Sequence, residues 1–407
     1  NTVTVNASAS ATGQMIGILN NSGSRFGRPA SASVTNTVNI LNNTIENSTY
    51  PATGTGSFWL LYTGSAAADT LGAHTLNITG NQLLNNTQAS TTNTGTMFGI
   101  ISQKINDFGT ISNNTITGNA MSGNVANPLR TIVTGLGGFS AGTVPYAQNL
   151  SVTGNTITGN TAVTTTAVID GIAVEAYTGN SPQVGTTVTI SNNTVGSATY
   201  AQTTGAFNGV ATTTGISANA AVTMSGNTVS NVTRNSATTG AFNGVRSLGT
   251  SVVSNTMNNN TVSNISMTGG TSAVFSGITN AGSITLTTAL TMNGNTVSGC
   301  TVNGTGTMAC IDAGNAVTYQ VNNNTVQNNT KTTATTGIFS GIVSTGSTTS
   351  TTSMTFTGNT VSGNTQQGTS DMTLLNVSSA VNYTITGNVI NGNTKAGASG
   401  SMFCSRA

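Results

Sequence analysis

The stretch Val222 to Asn231, VTMSGNTVSN, limits what this chain can fold into, because its pattern returns eleven times around one asparagine. That asparagine stands at Asn43, Asn81, Asn114, Asn155, Asn193, Asn227, Asn260, Asn295, Asn324, Asn359 and Asn388, at intervals of 29 to 41 residues. A period of this size means stacked supersecondary units, each needing its neighbours to bury a core.

Three positions before each central asparagine the residue is apolar, from Ile40 and Ile78 to Phe356 and Ile385. Two positions after it stands Ile, Leu or Val. Alternating apolar residues predict strands. The residue immediately before is always Gly or Asn, and Gly or Asn returns four positions after in ten of eleven repeats, with Ser197 the exception. These residues enter the left-handed region at least cost. Each unit therefore reads as strand, bend, strand, bend. An asparagine at the same place in every coil is expected to form a ladder, each amide bonding to the coils above and below at a net ~1 kcal/mol per bond.

A further strand follows in each unit, as IDGI at 169–172, FNGV at 207–210 and 242–245, and FSGI at 275–278 and 339–342. MFGI at 97–100 and MIGI at 15–18 belong with these. Three strands per coil, with Thr/Ser/Gly-rich connections between, describe a solenoid. Residues 1–20 read as an incomplete first coil, with Val3 and Val5 alternating like its first strand, and residues 388–407 as an uncapped last coil. No shift of composition divides the chain, so 1–407 is expected to be a single domain.

The 407 residues include only nine Lys and Arg and seven Asp and Glu, for a formal net charge of +2. Nucleic acid and anionic membranes both demand clustered cations, so neither is an expected partner. No apolar run reaches the ~18 residues of a membrane span, and no insertion is expected. A surface of Thr, Ser and Asn points to an extracellular or cell-surface setting. Of the three cysteines, Cys310 and Cys404 fall on matching sites three coils apart, too far to pair. A Cys300–Cys310 bridge remains open beside the simpler expectation of buried thiols acting as small apolar residues.

The units ISNNTITGN (111–119), VTGNTITGN (152–160) and FTGNTVSGN (356–364) resemble the parallel β-helix repeats of the pectate-lyase-like superfamily. The resemblance covers nearly the whole chain. It implies an all-β, right-handed parallel β-helix of about 12 coils, with the FxGI strand in the first sheet and the central asparagine between the second and third. Its implication for function is broad, since that superfamily holds lyases, hydrolases, tailspikes, adhesins and structural solenoids. The charge-poor, Asn/Thr-rich character is similar to repetitive bacterial surface proteins.

Polysaccharide-cleaving members place their chemistry on the first sheet. Hydrolysis needs two carboxylates ~5 to 10 Å apart, and the chain offers only Glu46, Asp69, Asp107, Asp170, Glu175, Asp312 and Asp371. Asp170 and Glu175 are the pair closest in sequence, beside Asn208 and Thr213 in the next coil, with Arg246 beyond. Asp170 and Asp312 stand four coils apart, ~19 Å. The expectation is a solvated Asp170 next to an asparagine, with no catalytic residue, cofactor or metal. His74, the sole histidine, has no ligand partner nearby in sequence. Trp59, the sole tryptophan, is read as packing or an interface before a ligand platform. Asn-x-Ser/Thr triplets such as 231–233 follow from the repeat, and those in the ladder should be buried, so they carry little weight.

The chain is therefore expected to be a non-enzymatic structural or adhesive solenoid. Its last strand lies at 401–404, and residues 2–5 read as the strand that would come next. Copies stacked head to tail would continue the repeat in phase, with Val3, Val5, Met402, Phe403 and Cys404 at the junction. A trimmed piece of a longer protein would show the same ends. A carbohydrate-active enzyme or an adhesin binding surface glycans is the alternative. Ice binding by Thr arrays such as 186–189 is a third class, opposed by irregular loops expected to break any flat Thr face.

Overall fold

The computed structural model of the chain describes residues 1–6, 13–20, 36–51, 56–63, 74–89, 96–102, 108–125, 128–134, 149–164, 166–174, 187–201, 204–212, 220–235, 239–248, 253–269, 272–281, 289–332, 336–344, 351–378 and 380–404.

All described strand pairs are parallel and fall into three sheets. The FxGI strands form sheet 1, twelve strands from Met15–Asn20 to Met402–Phe403. The strands before the central asparagine form sheet 2, eleven from Asn36–Leu41 to Asn382–Thr386. Those after it form sheet 3, which has 21 strands. Each strand pairs with its counterpart one coil away, and connections of this kind close right-handed. The chain is a right-handed parallel β-helix.

Sheet 3 has nearly twice the strands of the others because each coil crosses it with two short segments, such as Thr44–Glu46 and Thr49–Tyr50, separated by the second bend. A coil thus carries four strand segments, not three. At Thr194–Tyr200 and Thr228–Arg234 the two segments fuse into one strand.

The left-handed positions fall where the repeat puts them. In every coil the residue before the central asparagine and the residue four after it have positive φ, Ser197 included at 49°. The central asparagines are buried from Asn81 to Asn359 and form the expected ladder. Asn81 shows the unit: its Nδ2 donates to Asn114 Oδ1 at 3.0 Å and to the Ile40 carbonyl at 2.9 Å, while its backbone N–H donates to the same Asn114 Oδ1 at 2.9 Å.

Two features of this ladder go beyond the expectation. First, Asn1 belongs to it, donating to Asn43 Oδ1, and Thr2–Val3 pairs with Thr44–Ile45. Val3 therefore lies in sheet 3, not in the first strand of a unit, and Val5 follows it outside any strand, its carbonyl accepting from the Thr49 N–H. Period-two alternation is common to both strand types; only the Asn1-Thr2-Val3 triplet, matching Asn43-Thr44-Ile45, tells them apart. Second, a parallel ladder stands five residues on. Asn86, Asn119 and Asn160 form one run of it, and Asn329, Asn364 and Asn393 another. Buried Ala198, Val232, Ile265 and Cys300 occupy the positions between.

Inside, aliphatic stacks fill the space between the sheets. Phe207, Phe242 and Phe275 stack on successive coils of sheet 1, at centroid distances of 4.9 and 5.3 Å, an aromatic ladder at the strand spacing. Cys300 and Cys310 are buried and unbridged; Cys404 is exposed and also unbridged. Burial pushes the Cys300 thiol up to about 12.

The seven residues from each central asparagine onward carry no insertion in any repeat, and the register shift of Ala120–Val125 against Thr161–Thr164 falls after them. On its outer face Thr115, Thr156, Thr194, Thr228, Thr261 and Thr296 are adjacent in register. Loop irregularity, expected to disrupt a flat Thr face, leaves this single Thr column in register.

Candidate functional site on the outer face of sheet 1

In each sheet 1 strand the second and fifth residues point away from the core. The second residues align as Trp59, Phe98, Arg130, Asp170, Asn208 and Asn243 on six successive coils. The fifth residues run beside them as Tyr62, Ile101, Val133, Ala173, Ala211 and Arg246.

The first column changes chemistry along its length. Trp59 packs against Tyr62 at 4.9 Å and edge-on to Phe98 at 6.0 Å, and its indole N–H reaches the Thr96 hydroxyl at 3.4 Å. With Ile101, Val133 and Ala173 these rings form an apolar cluster separate from the interior. Arg130 follows, its Nε 2.5 Å from Asp170 Oδ2. Asn208 Nδ2 donates to Asp170 Oδ1 at 2.8 Å, and Asn243 Nδ2 to Asn208 Oδ1 at 2.8 Å. A chain of amides thus ends on a carboxylate that is itself paired to a cation.

The expected solvated Asp170 is corrected: it is 1% exposed. Sequence placed the asparagine beside it but missed Arg130, forty residues upstream; the alignment of LRTIV (129–133) with IDGIA (169–173) is the signal that would have found it. Glu175, Asp69 and Asp107 lie outside the described residues, as does the side chain of His74. Asp312 is in a different column, where burial raises its carboxyl and the Gly314 N–H at 2.8 Å partly offsets this. Asp371 accepts from the Ser401 N–H, and Glu46 sits half-buried on sheet 3. Among the described residues no three of His, Cys, Asp and Glu meet where a metal ion could be held.

A second set of charged groups, unforeseen from sequence, points inward. Seven residues after the central asparagine, the inward column holds Tyr200, Arg234, Met267, Val302, Lys331 and Gln366 in register. Arg234 and Lys331 are fully buried. Arg234 donates to the Gly205 and Gly240 carbonyls at 2.9 and 2.8 Å, and Lys331 to the Gly304 carbonyl at 2.7 Å. Desolvation lowers them to about 10 and about 8. These long side chains close the corner where each coil turns from sheet 3 into sheet 1.

Of the proposed junction residues, Val3 and Val5 are half-buried against the core. Met402 is exposed, Phe403 half-buried and Cys404 exposed.

No protein-family model, curated protein or solved structure matches this chain. Fold and site therefore define it only as a parallel β-helix with internal asparagine ladders.

Proposed function

We propose that this chain is a non-enzymatic, extracellular structural or adhesive β-solenoid whose copies stack head to tail. The observation that carries the reading is the last coil. Tyr383 and Ile385 there are 43% and 36% exposed, whereas Met354 and Phe356, their partners one coil below, are 1% and 0% exposed. One more coil of the same kind, from a continuation of the chain or from a second copy, would bury that rim, and a second copy carries the matching parts. Its Asn1 would stand over Asn388 and continue the central ladder, and its Met15–Asn20 strand would continue sheet 1. The strand at Thr2–Val3 belongs to sheet 3, so the junction leaves one sheet 2 position to be filled and is not seamless. A near-neutral chain adds little repulsion to such stacking.

Export fits the Thr, Ser and Asn surface, and no described helix is long and apolar enough to cross a membrane. The likeness to the pectate-lyase-like superfamily belongs to this proposal as a source of fold, not of chemistry.

Electron microscopy of the full chain at high concentration tests it. Filaments with an axial repeat near ~57 Å, twelve coils at ~4.8 Å, are expected, and Tyr383→Lys should disperse them. Discrete rods at every concentration would sink the stacking. A second reading, an adhesin for surface glycans, is favoured by the outward cluster of Trp59, Tyr62 and Phe98, since aromatic faces suit sugar rings. Glycan-array binding lost in Trp59→Ala would support it.

A further inference from the structure

Each of the eleven coils has two bend residues in the left-handed region, and ten of these residues are asparagine. They form two rows: Asn42, Asn113, Asn192, Asn259 and Asn323 at the first bend, and Asn47, Asn85, Asn231, Asn264 and Asn328 at the second. All ten are exposed. All ten also begin an Asn-x-Ser/Thr triplet, such as Asn113-Asn114-Thr115 and Asn231-Val232-Thr233.

The buried ladder asparagines begin none. Two residues after them stands the next inward-facing residue of the strand, such as Ile116 after Asn114 or Gln88 after Asn86. The expectation that triplets in the ladder are buried is thus corrected: where a first-ladder asparagine stands in a triplet it is the middle residue, and the exposed bend residue is the head. A left-handed bend requires Asn or Gly but no hydroxyl two residues on. Eight glycine bends also have Thr in that place, and at the three bends followed there by Gln82, Ala120 and Val389 the bend residue is Gly80, Gly118 and Gly387, so no asparagine bend lacks the hydroxyl.

We propose that the bend asparagines are acceptor sites for N-linked glycan, arrayed in one row between sheets 2 and 3 and a second row along the bend inside sheet 3. The donor class is a lipid-diphosphate-linked oligosaccharide used by an oligosaccharyltransferase. The asparagine Nδ2 bonds to the anomeric carbon and that carbon's bond to the diphosphate breaks. The lipid diphosphate leaves with the electron pair, and the amide proton passes to a base of the transferase. No oxidant or reductant is needed.

The packing sets the spacing. In the first row asparagine alternates with glycine, Asn42 with Gly80, Asn113 with Gly154 and onward to Asn323 with Gly358. In this row each asparagine Oδ1 lies 2.3 to 2.5 Å from where a Cβ on the next coil's glycine would sit, so a side chain there would have to displace it. Acceptors in this row are therefore two coils apart, ~9.6 Å. In the second row Asn47 and Asn85, and Asn231 and Asn264, sit on adjacent coils only ~4.8 Å apart. Asn264 Nδ2 there lies 3.3 Å from Asn231 Oδ1. Two glycans cannot share that spacing, so each such pair carries one.

The proposal rests on export and is independent of filament formation. To test it, the full chain behind a cleavable signal peptide is secreted from cultured eukaryotic cells. The glycans are then removed by amidase in ¹⁸O-water, and tagged aspartates are mapped by mass spectrometry. Tags are expected at Asn42, Asn113, Asn192, Asn259 and Asn323, with summed occupancy near one for Asn47 with Asn85 and for Asn231 with Asn264. Thr115→Val should erase the tag at Asn113 while circular dichroism and melting stay as in the parent. If the chain is retained in the cells, translation with microsomes gives the same readout. Untagged first-row asparagines on processed chain would overturn the proposal, and full double occupancy of the adjacent pairs would overturn the spacing argument.

Discussion

Asn114 donates twice to the same atom of Asn155: its Nδ2 and its backbone N–H both reach Asn155 Oδ1, at 2.9 and 3.0 Å. Asn155 Nδ2 in turn satisfies the Ile111 carbonyl and Asn193 Oδ1, each at 2.9 Å. Asn155→Ala therefore strands buried donors on one side and a buried carbonyl on the other. At about 1 to 3 kcal/mol per unsatisfied group, a loss of about 3 to 5 kcal/mol is expected. Asn388→Ala, at the half-exposed last rung, should cost about 1 kcal/mol. Urea unfolding followed by circular dichroism measures both, and equal costs would refute the ladder's share in stability.

That ladder was legible because nothing interrupts it: eleven coils, one residue type, one spacing. The second ladder was equally present in the quoted repeats, at Asn119, Asn160 and Asn364, but Ala198, Val232, Ile265 and Cys300 break its pattern where apolar packing replaces amide pairing. The Arg130–Asp170 pair was hidden for another reason. It depends on register across a loop of variable length, and forty residues of separation say nothing until the strands are aligned. The Val3 strand was misplaced because alternation identifies a strand and not its sheet.

Lys331 is buried against the Gly304 carbonyl, and among the described residues no carboxylate pairs with it. Its ammonium is held near about 8 by desolvation, below the ~10.4 of an unfolded lysine. Between these values the unfolded chain binds more protons, so this group's contribution to stability is lowest below pH 8 and rises with pH up to ~10.5, by at most ~1.4 kcal/mol per unit. The same column accepts Met267 and Val302. Lys331→Met should therefore be more stable than the parent at pH 7, by about 1 to 3 kcal/mol, with the gap closing from pH 8 upward. The raised Cys300, Cys310 and Tyr200 pull alkaline stability the other way in both proteins, so the difference between the two melts isolates Lys331. A gap independent of pH would refute the assignment.

Asp170 is the buried member of its pair, so removing its cation should cost more than removing both charges. Arg130→Met leaves the carboxylate with only amide donors and is expected to lose about 3 to 5 kcal/mol. Adding Asp170→Asn should restore most of that loss. A double-mutant cycle in urea gives the coupling directly. A single-mutant loss under 1 kcal/mol would mean that water screens the pair.

The third residue of the FxGI strand decides how closely sheet 1 approaches sheet 3. At Gly209 an added Cβ would lie 2.6 Å from the Gly244 carbonyl oxygen and 2.7 and 2.8 Å from the Val229 γ-carbons. Strand pairing skips this residue, from Asn208↔Asn243 to Val210↔Val245, so the backbone has left the regular ladder where the two walls touch. Gly209→Ala should destabilise by about 1 to 3 kcal/mol through overpacking. Val229→Ala in the same chain relieves the side-chain clash and leaves the carbonyl clash, so rescue should be partial. Gly13, with no atom within 4 Å of an added Cβ, is the control, and Gly13→Ala should change stability by no more than about 0.5 kcal/mol. Equal effects at the two glycines would show that the loss at Gly209 is one of backbone entropy and not of contact between the sheets.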